Sequence, residues 1–183
     1  MALSRKKVIV RRFSTGFLAG YLPQSGFVRQ NAGDPVMDLL DLSGRVLSLP
    51  LSDIKMASYV RDFNSDDLRE PERLLRKTFL ARPRSEGLWL RIGLRDEDLI
   101  EGLAPIDLSL ADNFTEDLGV QITPPDVRSN TQKIYIPRSS MTSLQMIAVV
   151  TTPSRKKPLP RPAVDDLQED LFSLELPPNA RTH

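Results

Sequence analysis

The sequence predicts an all-β protein: two small five-stranded barrels in tandem, with a short helical connector between them and a flexible C-terminal tail. Three observations lead to this prediction. Short runs rich in β-branched and aromatic residues alternate with turn sequences throughout residues 7–150. The stretch Leu49–Val60 recurs in outline at Ile136–Ile147. Residues 152–183 contain six of the 15 prolines, which favours extended chain over a packed core.

Composition excludes several classes of function. Of the 183 residues, 40% are hydrophobic and 27% are charged, as in ordinary globular proteins. The net charge of +1 supplies no bulk attraction to nucleic acid or to an acidic membrane surface. The chain has no cysteine, and its one histidine, His183, is the last residue. We therefore expect no disulfide, no metal site, no cofactor and no enzymatic activity.

No membrane segment is predicted. The start of the chain, MALSRKKVIVRR, has a three-residue apolar run, which is shorter than the apolar core of a signal peptide. No stretch approaches the roughly 20 apolar residues that a membrane-spanning helix needs. We expect a cytoplasmic protein with no membrane partner.

The first barrel is predicted over residues 1–63. Ser14–Gly16, Leu42–Arg45 and Leu51–Asp53 have the composition of tight turns. Gly20 lies inside a strand and indicates a sharp bend, and residues 23–35 form a loop punctuated by Gly and Pro. The predicted strands are Lys7–Phe13, Phe17–Leu22, Val36–Asp41, Val46–Pro50 and Ile54–Val60.

Residues 64–87 are predicted to form a helical connector and an edge strand. Ser65 can cap a short helix, and Asp66 and Asp67 suit its first turn. The following residues, 72–77, have helical propensity. Thr78–Arg82 is apolar and extended, and Pro83 confines it to the edge of a sheet.

The second barrel is predicted over residues 88–151, with a longer loop at 105–117. Residues 95–98 form its first hairpin turn, and Arg138–Ser140 form a tight turn before the last strand. The predicted strands are Leu88–Leu94, Leu99–Leu103, Leu118–Thr123, Gln132–Pro137 and Met141–Val150.

An internal duplication accounts for this plan. Leu49-Pro50-x-Ser52-x-Ile54 aligns with Ile136-Pro137-x-Ser139-x-Met141 at an offset of 87 positions. Phe17–Leu22 aligns approximately with Leu99–Leu103 at an offset of 82, which pairs the internal glycines Gly20 and Gly102. The two matches occur in the same order and the offsets differ by a loop insertion, so we interpret the chain as two related units.

The tail, residues 152–183, has two interpretations. Val164–Leu176 is acidic, and its apolar residues at 164, 167, 171 and 174 follow helical spacing. It is too short to form a stable isolated helix. It is either disordered or a docking helix for a partner or for the protein's own barrel, and the docking residues would be Leu167, Leu171, Phe172 and Leu174.

The segments Val8–Pro23 and Val36–Val60 resemble the Sm-like fold, particularly bacterial Hfq-type domains, in their order of strands, turn glycine (Gly16), internal glycine (Gly20) and final tight turn. Residues 88–150 follow the same plan, and the chain resembles an uncharacterised bacterial family with tandem barrels. Hfq-type proteins use a Tyr-Lys-His type motif at the last turn to bind RNA. Both final turns of this chain lack histidine, so the resemblance does not imply RNA binding or ring assembly.

The candidate binding residues are arginines and an amide in two loops. Arg82-Pro83-Arg84 resembles a preorganised anion site, although a polar strand edge explains it equally. Arg128 and Asn130 occupy a proline-started loop that is either a rigid turn or a recognition loop. Asp41–Gly44 partly matches the cyclic-dinucleotide motif of PilZ domains, but it is more simply a hairpin turn.

Catalytic interpretations are weaker. The carboxylates at 96–98 and 101 are predicted at a solvated hairpin turn, and Ser52, Ser139 and Ser140 have no histidine partner. The sequence therefore favours a non-enzymatic binding or adaptor module with a protein partner. The alternative is binding of RNA or single-stranded nucleic acid through basic loops. The sequence does not determine the oligomeric state of the protein.

Overall fold

The computed structural model describes residues 5–14, 16–23, 25–30, 33–63, 76–107, 118–126 and 129–151. The chain divides into two units, Met1–Thr152 and Pro153–His183, and every described residue belongs to the first. The predicted tail, with Leu167, Leu171, Phe172 and Leu174, lies outside the described residues, as do residues 65–75 of the helical stretch predicted up to Lys77.

The all-β class is confirmed, because the described residues form eleven strands and two single 3₁₀ turns. In these ranges no helix is long and apolar enough to cross a membrane. The strands are β1 (Arg5–Arg12), β2 (Phe17–Pro23), β3 (Val28–Arg29), β4 (Val36–Asp41), β5 (Val46–Pro50), β6 (Ile54–Val60), β7 (Gly87–Leu94), β8 (Leu99–Ala104), β9 (Gly119–Ile122), β10 (Thr131–Pro137) and β11 (Met141–Val150).

The strands form two sheets rather than two separate closed barrels. The larger sheet has eight strands in the order β3-β4-β2-β1-β6-β10-β9, with β5 added to β4. The smaller sheet has the order β11-β7-β8, and an isolated bridge between Leu103 and Thr123 joins β8 to the end of β9. The eight-stranded sheet therefore runs through both predicted barrels, because β6 pairs with β10.

The same pairings recur in the first half (Arg5–Val60) and the second half (Gly87–Val150) at constant offsets. Val8 opposes Gly20 in β1·β2, and Leu90 opposes Gly102 in β7·β8, 82 positions later on both strands. Likewise, β1 pairs with β6 in the same register as β7 pairs with β11. The offset is 82 positions from β1 to β7 and 87 positions from β6 to β11. In each half the neighbours follow one order, β5-β4-β2-β1-β6 and β10-β9-β8-β7-β11.

Two hydrophobic cores lie on opposite sides of the β6·β10 pair. The first contains Tyr59 and Tyr135 together with Val8, Leu22 and Leu39. The second contains Met56, Ile134 and Ile136 together with Leu90 and Ile122. Side chains that alternate along a strand point to opposite faces, so β6 and β10 each contribute to both cores. All seven residues of β6 are consequently buried.

The two predicted tight turns are confirmed as the 3₁₀ turns Leu51–Asp53 and Arg138–Ser140. Ser139 Oγ donates a hydrogen bond to the Leu51 carbonyl at 2.9 Å, and Ser140 Oγ donates to the Lys55 carbonyl at 2.8 Å. Arg95 Nη2 donates to the Ser52 carbonyl at 2.6 Å. The turns thus join the halves to each other.

The connector differs from its prediction where it is described. Residues 76–86 form no helix and no strand, so the edge strand predicted at Thr78–Arg82 is absent. The segment instead contacts β8 through a hydrogen bond from the Glu101 N–H to the Lys77 carbonyl, at 2.6 Å. The two-residue strand β3 was not predicted. It forms because Val28 and Arg29 pair with Met37 and Val36 of β4.

Candidate functional site

A cleft of about 320 Å³ lies between the segment 76–85 and the loop that follows β9. One wall carries Leu80, Arg82 and Arg84, and the other carries Pro124 and Pro125. The structure therefore brings the predicted Arg82-Pro83-Arg84 site beside the beginning of the predicted proline loop.

The carboxylate of Glu101 fixes the segment 76–85 to the second half. Its side chain is 2% exposed. Its oxygens accept hydrogen bonds from the Phe79 N–H at 3.0 Å, from Trp89 Nε1 at 3.1 Å and from Arg91 Nε at 2.9 Å. Burial alone would raise the pKa of Glu101, but these hydrogen bonds outweigh it and hold the pKa below its ordinary value. The ionised carboxylate is thus a structural anchor for this wall of the cleft.

A second anchor joins the same segment to both halves. Asp98 Oδ1 contacts Lys77 Nζ at 2.7 Å, and Asp98 Oδ2 contacts Lys55 Nζ at 2.5 Å. Lys55 is a buried residue of β6, and its ammonium also contacts Asp96 at 2.6 Å. The hydrogen bonds from Lys55 and Lys77 lower the pKa of Asp98. Because Lys55 belongs to the first half, this ion-pair network connects the cleft to the junction of the halves.

The cleft presents arginines to solvent on a fixed backbone. Pro83 is buried, whereas Arg82 and Arg84 on either side of it are exposed. Arg76 is also exposed and lines the same cleft. Among the described residues, none of these three guanidinium groups has a carboxylate partner. The cleft is therefore a place of concentrated positive charge on a chain of almost zero net charge.

The cleft also has an apolar component. Leu80 is 80% exposed, which is the highest value among the large hydrophobic residues described as exposed. Pro124 is buried and Pro125 is half-buried, and neither has an N–H group that a ligand would have to satisfy. A ligand that fits this surface combines acceptor oxygens for the arginines with apolar groups for Leu80 and the prolines.

Asn130 and Arg128 are not part of the described cleft. Asn130 Nδ2 donates to the Asp62 carbonyl at 2.8 Å, and its Oδ1 accepts from the Asp62 N–H at 3.0 Å. The Asn130 carbonyl accepts from the Arg61 N–H at 3.0 Å. Asn130 therefore extends the β6·β10 pairing. Arg128 lies outside the described residues, and its role in binding stays a prediction.

Three of the residues considered for catalysis have structural partners. The hydroxyls of Ser139 and Ser140 donate to backbone carbonyls, and Asp98 is paired with two lysines. Within the described ranges, no group of three or more His, Asp or Glu residues is arranged to hold a metal ion.

Sequence reasoning missed the structural roles of Glu101, which holds one wall of the cleft, and of Lys55, which pairs with the second anchor, Asp98. Glu101 was expected near a solvated turn, and Lys55 had no assigned role. A local indication existed, because both charges interrupt otherwise apolar strands, LIEGLA and IKMASYV. A charge at such a position is either exposed or paired, and here both are paired.

Comparison with known proteins finds one family. A family of unknown function, DUF6982, matches residues 4–148. No curated protein and no solved structure matches significantly. The matched range covers both halves and the cleft.

Proposed function

The chain belongs to DUF6982, a family of unknown function, and we propose that it is a non-enzymatic protein-binding module. Its cleft binds a segment of a partner protein that carries carboxylates next to apolar side chains. The observation that supports this proposal most is the arrangement of Arg76, Arg82 and Arg84 around exposed Leu80 in one cleft.

The fixed backbone of the cleft favours recognition. Glu101 and Asp98 hold Phe79 and Lys77 in place, so the arginines that follow are presented on an ordered segment. A preformed surface loses little conformational entropy on binding. Arginine is also the residue best suited to carboxylates, because it donates two parallel hydrogen bonds.

We further propose that the two halves are tandem copies of one five-stranded unit with Sm-like or SH3-like strand order. Support comes from the shared register, since the offset of 87 predicted from the turn sequences also relates β6 to β11 and β5 to β10. In this architecture the cleft belongs to the second copy, so the module would have one such binding site per chain.

Nucleic-acid binding through Arg82, Arg84 and Arg128 is the less favoured function. Base stacking needs exposed aromatic faces beside the basic groups. Phe79 lines the cleft but is half-buried, and it packs edge to face against Trp89 at 5.5 Å. Trp89 in turn donates a hydrogen bond to Glu101. Both rings are therefore partly engaged in internal packing, while the exposed arginines remain open to a protein's carboxylates.

Capture from a native lysate, with and without nuclease, tests this function. We expect the full chain to retain a protein partner after nuclease treatment. The double variant R82E/R84E should lose that partner, because it repels carboxylates, and Leu80→Asp should lose it as well. Arg5→Glu is the matched control, since Arg5 is exposed at the start of β1, away from the cleft.

Two results would contradict the proposal. One is retention of the same partners by R82E/R84E and the wild type. The other is capture of RNA or DNA that is lost on mutating these arginines, with an affinity that falls steeply as salt is added.

A further inference from the structure

Two strands of the described protein have an uncovered edge, one at each end of the strand order that the two halves share. In the part of the chain that the structure describes, β11 pairs with β7 and has no neighbour on its other side. Similarly, β5 pairs with β4 alone. Their counterparts in the other half, β6 and β10, pair with each other.

β6 and β11 correspond in position but differ in their surroundings. Both strands follow a 3₁₀ turn, and both pair with the first strand of their half in the same register. All seven residues of β6 are buried, but in β11 only Met141 and Val150 are buried. β6 packs into both cores and has β10 on its second edge, whereas the described residues place no strand on the second edge of β11.

Neither open strand carries a charged residue. β11 has ten residues, MTSLQMIAVV, without a charge or a proline, and β5 is VLSLP. Proteins usually protect an exposed edge with lysine, proline, bulges or very short strands. Met146 and Val46 are each 60% exposed, and Leu144 is 40% exposed. Both edges are therefore suited to pairing with another strand.

We propose that a second copy of this chain covers these edges: β11 of one copy pairs antiparallel with β5 of the next, as β6 pairs with β10 within the chain. The internal pairing sets the register. Lys133 opposes Tyr59 and Tyr135 opposes Ala57. Adding 87 to the β6 positions gives their counterparts in β11, and subtracting 87 from the β10 positions gives their counterparts in β5. Val46 then lies opposite Met146, and Ser48 lies opposite Leu144.

Neither Pro50 nor the irregularities in β11 prevent this pairing. Pro50 ends β5, but Pro137 occupies the same place in β10, which still accepts β6. β11 has two register shifts, between Met141 and Ser143 and between Met146 and Ala148, and the proposed contacts at 144–146 lie between them. The contact is heterologous, since one copy uses β5 and the other uses β11, so assembly ends in a ring or continues as a filament.

Light scattering of the full chain during size-exclusion chromatography, over a range of concentrations, tests the proposal. We expect the wild type to form assemblies larger than one chain. Met146→Lys and Val46→Lys should each shift the mass to that of the monomer, because each places a charge on one edge of the same interface. Leu99→Lys is the matched control, since Leu99 is 42% exposed and lies on β8. It should assemble normally.

Cross-linking tests the register, because the natural chain has no cysteine. Residues directly opposite each other in an antiparallel pair have Cα atoms about 4.5–5.5 Å apart, within the range of a disulfide. The double variant V46C/M146C should form disulfide-linked multimers on mild oxidation. Either single variant should stay unlinked, as should V46C/L144C, whose cysteines are not opposite each other.

A monomeric wild type at high concentration would overturn the proposal, whatever covers the edges instead. Cross-linking of Met146→Cys alone would overturn it too, because it indicates β11 paired with a second β11. The assembly is independent of the cleft, and the variants separate the two. R82E/R84E should still assemble, and Met146→Lys should still capture the protein partner.

Discussion

Lys55 is a buried charged residue that joins the two halves. Its side chain is 7% exposed, yet it carries a charge that contacts Asp96 and Asp98 at the first turn of the second half. A buried ammonium is tolerated only when it is paired, because desolvation costs several kcal/mol per ion. Asp98 also pairs with Lys77. One carboxylate therefore connects β6, the β7–β8 turn and the segment that leads into the cleft.

This network makes stability dependent on pH. The pKa of Asp98 is lowered in the folded protein by hydrogen bonds from Lys55 and Lys77, below the ordinary value of 3.8. Its contribution to the free energy of unfolding is therefore full above about pH 5, decreases as the pH falls past the unfolded pKa of 3.8, and is lost below the folded pKa. We expect Asp98→Asn to lower the free energy of unfolding at pH 7 by about 1–2 kcal/mol.

Urea denaturation between pH 7 and pH 3 measures this effect. The difference between the wild type and Asp98→Asn should shrink as the pH falls. Glu97→Gln is the control, since Glu97 is exposed in the same turn, and it should leave the pH profile unchanged. A difference that stays constant over the whole pH range would show that the charge of Asp98 is not the cause.

At the scale of the element, two glycines allow close approach between neighbouring strands. A Cβ atom on Gly102 of β8 would lie 2.7 Å from Ile122 Cδ1 and 2.9 Å from the Thr123 carbonyl oxygen. A Cβ atom on Gly20 of β2 would overlap the Leu40 carbonyl oxygen. The sequence predicted a bend at Gly20. The structure shows that the absent side chain leaves room for the neighbouring strand's backbone.

Alanine at either glycine should therefore destabilise the protein. We expect Gly20→Ala and Gly102→Ala each to lower the free energy of unfolding by roughly 1–3 kcal/mol, the usual cost of overpacking. Gly33→Ala is the matched control, because a Cβ there meets nothing within 4 Å. Its effect should be neutral or slightly stabilising. Equal melting temperatures for all three variants would refute this explanation.

Strands and turns could be predicted from the sequence because their causes are local. The hairpin turn at Asp41–Gly44 forms as expected: Asp41 Oδ1 accepts from the N–H groups of Ser43 and Arg45, and Gly44 has a φ of 84°. The pairing of β6 with β10 could not be predicted, since it joins Ser58 to Ile134. The pairing of Lys55 with Asp98 could not be predicted either, because the two residues are 43 positions apart in the sequence. Such contacts depend on how the halves pack, which no local pattern records.

The cleft likewise has features that a local sequence pattern indicates and features that only the fold determines. The sequence indicated Arg82 and Arg84 as candidates, because a proline between two arginines is a local pattern. It did not indicate that Glu101 would hold Phe79 in place, since this hydrogen bond requires β8 to lie against the segment 76–85. The local pattern suggests which residues bind, whereas the fold determines whether they are ordered.

For the whole molecule, the central question is whether the halves are separate domains. Each half has its own core, which favours independence. However, Met56 of the first half belongs to the second core, and Tyr135 of the second half belongs to the first. Removing either half would expose these side chains and the edge of β6 or β10. We therefore expect the tertiary contacts across the junction to make the halves one cooperative unit.

We expect residues 5–151 to unfold in a single transition. Trp89 is the only tryptophan and lies in β7, so its fluorescence reports on the second half. Circular dichroism reports on the strands of both halves. The urea midpoints from the two probes should coincide, as required for two-state unfolding. Lys55→Met should lower both midpoints equally, because it removes a contact between the halves. If the fluorescence midpoint differed from that of circular dichroism, the shared β6·β10 pair would not couple the cores, and the halves would be domains in their own right.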